Sequence, residues 1–378
     1  MAPLAGIRVV ELAGLGAAPF CGMILADYGA NVLVIDRPGP PSPESIAHVK
    51  TVDPLSRGKM RLNLDLKVPA DRDLLLGIVS RSNVLLESFR PGVMERLGLG
   101  PTRCQRDNPQ LVYARLTGWG QTGPMADSAG HDPNYAAAAG SLFHSGATHT
   151  EPIAPPTLLS DASNAALLTA GISSALVSAS RTGYGQVIDA SIAEGTSYLS
   201  TYAQSFYQTG QLTDQRGKSW LDGAAPWNAT YRTRDNQFMV VAAIEPKFYR
   251  CFIDEMGLIT NPLFEDGEQW ITEKWCAQRE LLAERFATQD RATWSTLFEG
   301  KEACVSAVLT YGETSRHKQF SSRSAHYEID GQVFPVSAPR FSSTPAHALA
   351  PHDDEATAEY LASLGPSGLE LAKRLLKS

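Results

Sequence analysis

Three short segments hold side chains that could move a proton. AGHDPNY (129–135) sets His131 beside Asp132, ahead of a proline and an alanine run. SDASNAA (160–166) puts Asp161 at the front of a long apolar helical pattern, and AAIEPKFY (242–249) ends an apolar strand pattern on Glu245. An imidazole and two carboxylates are ordinary general acids and bases. Each also has a plainer use. Asp132 is a good N-cap with Pro133 in the first helical position, so His131 would merely precede a cap. Asp161 is a natural N-cap of a helix from about 162 to 181, a role worth about 1 kcal/mol. Glu245 could face water at a strand end, although strand ends facing a cleft are where α/β proteins place chemistry.

Basic residues suggest an anionic ligand. Arg37 follows one strand pattern and Arg90 another. Arg57, Lys59 and Arg61 alternate along the chain, so an extended backbone would put them on one face, and Lys67 ends the same stretch. Such a row either protects a sheet edge or forms an electropositive shelf for phosphates. GLGAAP (14–19) followed by Asp36 imitates a dinucleotide fingerprint. Pro19 stands where the third glycine belongs, however, and the motif is weak. No phosphate loop of the nucleotide-hydrolysing kind is present.

The elements that must position these groups alternate at the N-terminal end. Strand patterns cover 7–12, 31–35, 60–66, 83–89 and 111–118, with helical patterns over 19–28 and 70–82. This predicts an open, mostly parallel α/β sheet. A long helix is expected over 162–181 and a second apolar helical pattern over 186–210. A hairpin follows at 229–249 with its turn near Asp235–Asn236, and 302–313 reads as a short helix or strand. The stretch 354–376 reads as one helix.

Composition sets the bounds. At 378 residues two domains are expected. The net charge of −7 argues against nucleic acid as a partner. Five cysteines without a CxxC fit a reducing compartment and no structural zinc. No apolar run reads as a membrane span, and Glu11 interrupts the first apolar stretch, which argues against a secretory signal.

Taken together, the segments resemble the family III coenzyme A-transferases and, within them, the racemase branch acting on 2-methylacyl-CoA. The resemblance runs through 4–39, RLNLDLK (61–67), NVLLESFRPGVMERLGLGP (83–101), NPQLVYARLTGWGQTGP (108–124), AGHDPNY, TGYGQVIDASIAEGTSYLS (182–200), LDGAAPWNATYRT (221–233) and AAIEPKFY. It implies a large Rossmann-like domain, 1–210 with 335–378 returning to it, and a smaller α+β domain, 226–330. Residues 211–225 and 331–334 would link them, and two chains would interlock as a homodimer. His131 and Asp161 would flank the α-carbon of the thioester, one removing the proton and the other returning it to the opposite face through an enolate. Glu245 would orient the imidazole. The helix N-terminus beside His131 disfavours the imidazolium, which suits a base, and the Asp161 N–H and helix dipole could face the enolate oxygen. Arg37 and Arg90 would hold CoA phosphates, and Leu64, Asp65, Leu66 and Lys67 the adenosine. Gly130, Asp132, Pro133, Asn134 and Tyr135 would line the thioester path.

No metal, redox cofactor, nucleic acid or membrane partner is implied. Branched fatty-acyl, bile-acid-precursor and arylpropionyl groups all fit an apolar pocket, which places the activity in lipid metabolism. A cytoplasmic location is expected, with peroxisome or mitochondrion open to a eukaryotic protein. The C-terminal LLKS is not a Ser-Lys-Leu-type address. Three other activities stand beside this one. They are a CoA-transferase with Asp161 as nucleophile, a dinucleotide oxidoreductase, and a non-enzymatic acyl-CoA-binding protein. The family often has glycines just after the aspartate, where this chain has DASNAA (161–166). The larger side chains would either narrow the space beside the thioester or change helix packing.

Overall fold

The computed structural model describes residues 1–39, 53–148, 150–265, 267–344 and 352–377. They form two compact units, one of Met1–Gly140, Pro155–Leu199 and Lys318–Ser378, the other of Ser141–Ala154 and Ser200–His317. These limits differ from the expected boundaries. Residues 141–154 and 200–210 group with the second unit, and 318–330 with the first. Residues 345–351, in the stretch expected to return the chain to the first unit, lie outside the described residues.

The first unit opens with β1 (Arg8–Leu12), α1 (Ala17–Asp27), β2 (Asn31–Asp36), β3 (Lys59–Asn63), α2 (Pro69–Val79) and β4 (Val84–Glu87). Next come α3 (Val93–Arg96), α4 (Pro101–Asp107), β5 (Val112–Thr117), α5 (Asp132–Ala138), α6 (Leu159–Thr182), β6 (Val187–Ser191) and α7 (Ile192–Leu199). The six strands pair in parallel in the order β3-β2-β1-β4-β5-β6. Successive side chains of a strand point to opposite faces, and both faces here are covered. Val10, Leu33, Leu85 and Tyr113 join the α2 side chains Leu75 and Ile78 on one face. Val9, Val32, Leu86 and Ala114 meet Cys21 and Leu25 of α1 and Leu168 and Ile172 of α6 on the other.

Two expectations fail here. The stretch 186–210 is not one helical run: residues 187–191 add β6 to the sheet, from Tyr113↔Val187 to Thr117↔Ser191. Parallel pairing with β5 supplies the backbone hydrogen bonds and overrides the local helical pattern. In addition, α6 is long and apolar enough to cross a membrane by length and composition alone, with a mean hydropathy of 1.3. One face of it is core: Ala165, Leu168, Ile172 and Ala175 are buried in the cluster with α1.

The second unit contains α8 (Thr201–Gln208), β7 (Asn228–Arg232), β8 (Phe238–Ala242), α9 (Pro246–Glu255), α10 (Trp275–Phe286), α11 (Arg291–Phe298), β9 (Val305–Ala307) and α12 (Tyr311–Thr314). β7, β8 and β9 form an antiparallel sheet. The β7–β8 turn carries Asn236 at φ +60°, a conformation asparagine tolerates. The core of this unit is aromatic. Trp227, Phe252 and Phe286 are fully buried, and the Trp227 indole N–H donates to the Gln269 carbonyl at 2.7 Å. A buried indole needs such an acceptor.

The chain then gives the first unit α13 (Lys318–Ser322), the hairpin β10 (His326–Ile329) and β11 (Gln332–Pro335), α14 (Asp354–Ser363) and α15 (Pro366–Leu375). The expected single C-terminal helix is therefore two. Gly365 sits at φ +87° and Pro366 takes the first position of α15, which together stop one helix and start the next. Leu361, Leu364 and Leu371 of this pair are buried in the core beneath the sheet.

Candidate active site

The strand order of the first unit reverses between β1 and β4, and in open α/β sheets ligands bind outside the carboxyl ends of strands at such a point. The loops that leave these two strands approach closely. A Cβ on Gly14, after β1, would lie 2.4 Å from Ser88 Oγ, after β4. Gly16, at φ +70°, begins α1, and a Cβ there would lie 2.8 Å from Asp161 Oδ2. Only glycine satisfies both the left-handed backbone and the contact.

His131 is exposed and is itself the N-cap residue of α5, with Asp132 and Pro133 as the first two helical residues. This moves the cap one residue from its expected place. The His131 N–H donates to Asn134 Oδ1 at 3.0 Å, and the His131 side chain faces the Asn134 N–H in return, a capping box that fixes the start of α5. The Tyr135 hydroxyl donates to the Gly130 carbonyl, and its ring meets Trp119 edge-on at 5.1 Å. Trp119 Nε1 is buried without a hydrogen-bond partner among the described residues.

Asp161 is not an N-cap. α6 starts two residues earlier, after Leu158 in the left-handed region at φ +48°, so Asp161 lies in the first turn. Its N–H is not free to face a ligand oxygen, because it donates to Asp132 Oδ2 at 2.9 Å. Burial first, and then the nearby Asp132, push the Asp161 carboxyl up to about 6 against the opposing effect of His131. A carboxyl poised there exchanges a proton readily near neutrality. The departure DASNAA serves helix packing. Asn164 is buried and donates to Ser160 O, Ile192 O and Thr196 Oγ1 at 2.8, 3.1 and 3.0 Å, tying α6 to α7.

The residues expected to hold CoA gather at the carboxyl ends of neighbouring strands. Arg37 follows β2, Leu64–Lys67 follow β3 and Arg90 follows β4. Arg37 and Arg90 are exposed, and neither forms an ion pair with another described residue. Leu64 is buried. Asp65 shapes its own turn by accepting the Lys67 N–H at 3.0 Å, while Arg72 donates to the Leu66 and Lys67 carbonyls at 3.1 and 3.0 Å.

The electropositive shelf is corrected at three of its positions, where the cations are already neutralised, while Lys67 is exposed. Arg57 is buried and paired with Asp27, Lys59 is buried and paired with Glu11, and Arg61 is paired with Asp36. An ion-paired cation offers little to a phosphate. A different cluster escaped the sequence reading. Buried Glu87 accepts the Phe89 N–H at 2.7 Å and Arg115 Nε at 2.8 Å, and Arg115 also reaches Glu95 of α3 at 2.7 Å. These bonds clip both ends of the loop that carries Arg90. A glutamate inside the apolar strand pattern 83–89 was the available signal, since a buried carboxylate demands partners.

Glu245 belongs to the second unit. It is the exposed N-cap residue of α9, three residues beyond the end of β8, and its carbonyl accepts the Phe248 and Tyr249 N–H groups at 3.0 and 2.9 Å. All five cysteines are unpaired thiols.

Comparison with known proteins gives a consistent picture. The model of CoA-transferase family III matches residues 4–354. Alpha-methylacyl-CoA racemase of Homo sapiens is 43% identical over 373 residues, covering 97% of this chain and 95% of that protein. The Mus musculus protein of the same name is 42% identical with the same coverage. The crystal structure of a CAIB/BAIF family protein from Brucella suis superposes with a TM-score of 0.81 at 25% identity, covering 96% of this chain and 99% of that one. These matches lead to one assignment: the chain belongs to CoA-transferase family III.

Proposed function

We propose that this family member is an α-methylacyl-CoA racemase, interconverting (2R)- and (2S)-2-methylacyl-CoA thioesters by two-base proton transfer. The observation that carries the reading is the placement of Asp161: its carboxylate stands against the Gly16 turn at the switch point, and its N–H is tied to Asp132, the residue after His131. Removal of a weakly acidic α-proton needs a base on one face, and inversion needs an acid on the other. His131 and Asp161 fill these roles in turn, and each exchanges its role when the reaction runs backwards. Arg37 and Arg90 would take the phosphates, Leu64–Lys67 the adenosine, and Gly130 with Asp132–Tyr135 the thioester arm. Glu245 would orient the imidazole and stabilise its charged form. The chemistry needs no metal or redox cofactor, and free thiols suit the reducing cytoplasm.

The test is incubation of either pure epimer of a 2-methylacyl-CoA in deuterated water. Metal-free protein should bring both to a near-equal mixture with α-deuterium incorporated. Activity that appears only with added nicotinamide, flavin or divalent metal would overturn the proposal. So would transfer of CoA to an acceptor carboxylate without racemisation, which would make Asp161 a nucleophile.

The reading also includes an interlocked homodimer, as the family resemblance implies. Its protomers should not separate on dilution without unfolding. Sedimentation that finds a folded, active monomer at nanomolar concentration contradicts it.

A further inference from the structure

Asp132 is the least expected residue of the site. It is a carboxylate with 3% exposure, at the first position of α5, and its Oδ2 accepts the N–H of Asp161, 29 residues away in the chain. A single backbone N–H could be satisfied equally well by a neutral asparagine, and a buried carboxylate costs far more to desolvate than a carboxamide. A clip alone therefore does not explain the charge. What the charge touches does. His131 precedes Asp132 directly, and the groups that act electrostatically on the Asp161 carboxyl are Asp132 and His131. Tyr135, one turn further along α5, feels both carboxylates.

We propose that Asp132 is the positioning residue of the two-base pair: its carboxylate ties the Asp161 backbone to the start of α5 and sets a fixed negative charge beside the Asp161 carboxyl. The hydrogen bond holds the backbones of the two bases in register, since it joins the residue after one to the other. The charge opposes ionisation of Asp161, which keeps it able to give a proton in one direction and take one in the other. The proposal rests on the racemase reading for the use of that proton, and its geometric part is the hydrogen bond that brings the Asp132 carboxylate to the Asp161 backbone.

The experiment compares wild-type protein with Asp132→Asn, which keeps the acceptor and removes the charge. Two quantities are read: kcat/KM against pH for each epimer, and the titration of the Asp161 carboxyl by ¹³C NMR, assigned by its loss in Asp161→Asn. In Asp132→Asn the Asp161 titration should fall by about one pH unit. The acid limb for the epimer deprotonated by Asp161, and the basic limb for the other, should move down with it. A purely structural role would lower the rate and leave limbs and titration in place, and that result overturns the proposal. Should the asparagine variant fail to fold, Asp132→Ser removes the same charge and is read in the same way. The two readings fail separately. Wild-type protein that does not racemise, with the titration moved by the variant, removes the activity and keeps the tuning. Racemisation with an unmoved titration does the reverse.

Discussion

Replacing His131 with alanine is expected to abolish racemisation while sparing slow α-proton exchange, with retention, from one epimer only. Asp161→Ala should show the opposite preference. The reason is geometric: bases on opposite faces each see the α-proton of one epimer, so removal of one leaves the other its own half of the reaction. Each loss should cost at least the roughly 10²–10⁴-fold of a positioned acid–base group. The wild-type pH dependence follows from the same assignment. Where Asp161 takes the proton, kcat/KM should fall as pH drops through about 6, because the free enzyme's carboxyl becomes protonated there. Where Asp161 gives the proton, the same group limits the rate on the basic side. The measurement is α-deuterium incorporation into each pure epimer, followed before much racemisation has occurred. Equal residual exchange from both epimers in His131→Ala would mean that one base serves both faces, and the two-base assignment would fall.

Lys59→Met should destabilise the first unit by about 3–5 kcal/mol, the usual consequence of removing one partner of a buried ion pair. Lys59 and Glu11 are each 1% exposed, and Lys59 Nζ donates to both Glu11 oxygens at 3.0 and 2.7 Å and to the Pro19 carbonyl at 2.8 Å. The pair joins β1 and β3 to the first turn of α1, and so steadies the glycine loop that faces Asp161. Burial already pushes the Glu11 carboxyl above its ordinary range despite the lysine. Without Lys59 the folded state will hold a proton on Glu11 that the unfolded state releases. The folded state then binds more protons than the unfolded one, so the variant loses stability as pH rises from the ordinary carboxylate range towards neutrality. Urea denaturation near pH 5 and near pH 8 reads this directly. Glu11→Leu combined with Lys59→Met should recover most of the loss, because apolar residues replace such pairs at little cost. A single variant within about 1 kcal/mol of wild type at both pH values would show that the pair is not load-sharing in this way.

Much of the first unit was legible in the sequence. The strands β1 to β5 show themselves as short apolar runs separated by helical periods, and that alternation dictates a parallel sheet because parallel strands need crossovers. His131, Asp161 and Glu245 stood out because titratable side chains interrupt apolar patterns at element ends. The break between α14 and α15 was also written plainly, as Gly365 followed by Pro366, and only the continuous apolar spacing across it concealed the two helices.

What the sequence by itself determined, then, were the features set by near neighbours: apolar period, turn chemistry and the side chains at element ends. The tertiary structure alone decided the rest. β6 is a strand because β5 offers it a parallel partner, not because VIDAS demands one. Arg57, Lys59 and Arg61 share a stretch of chain and a charge, yet Asp27, Glu11 and Asp36 from other elements neutralise them. The Asp132 carboxylate meets the Asp161 N–H only because α5 and α6 pack against each other. The physical reason is common to all three. Hydrogen-bond partners, desolvation and charge neighbours depend on distance through space, and residues far apart in the chain acquire them only when the core has brought their elements together.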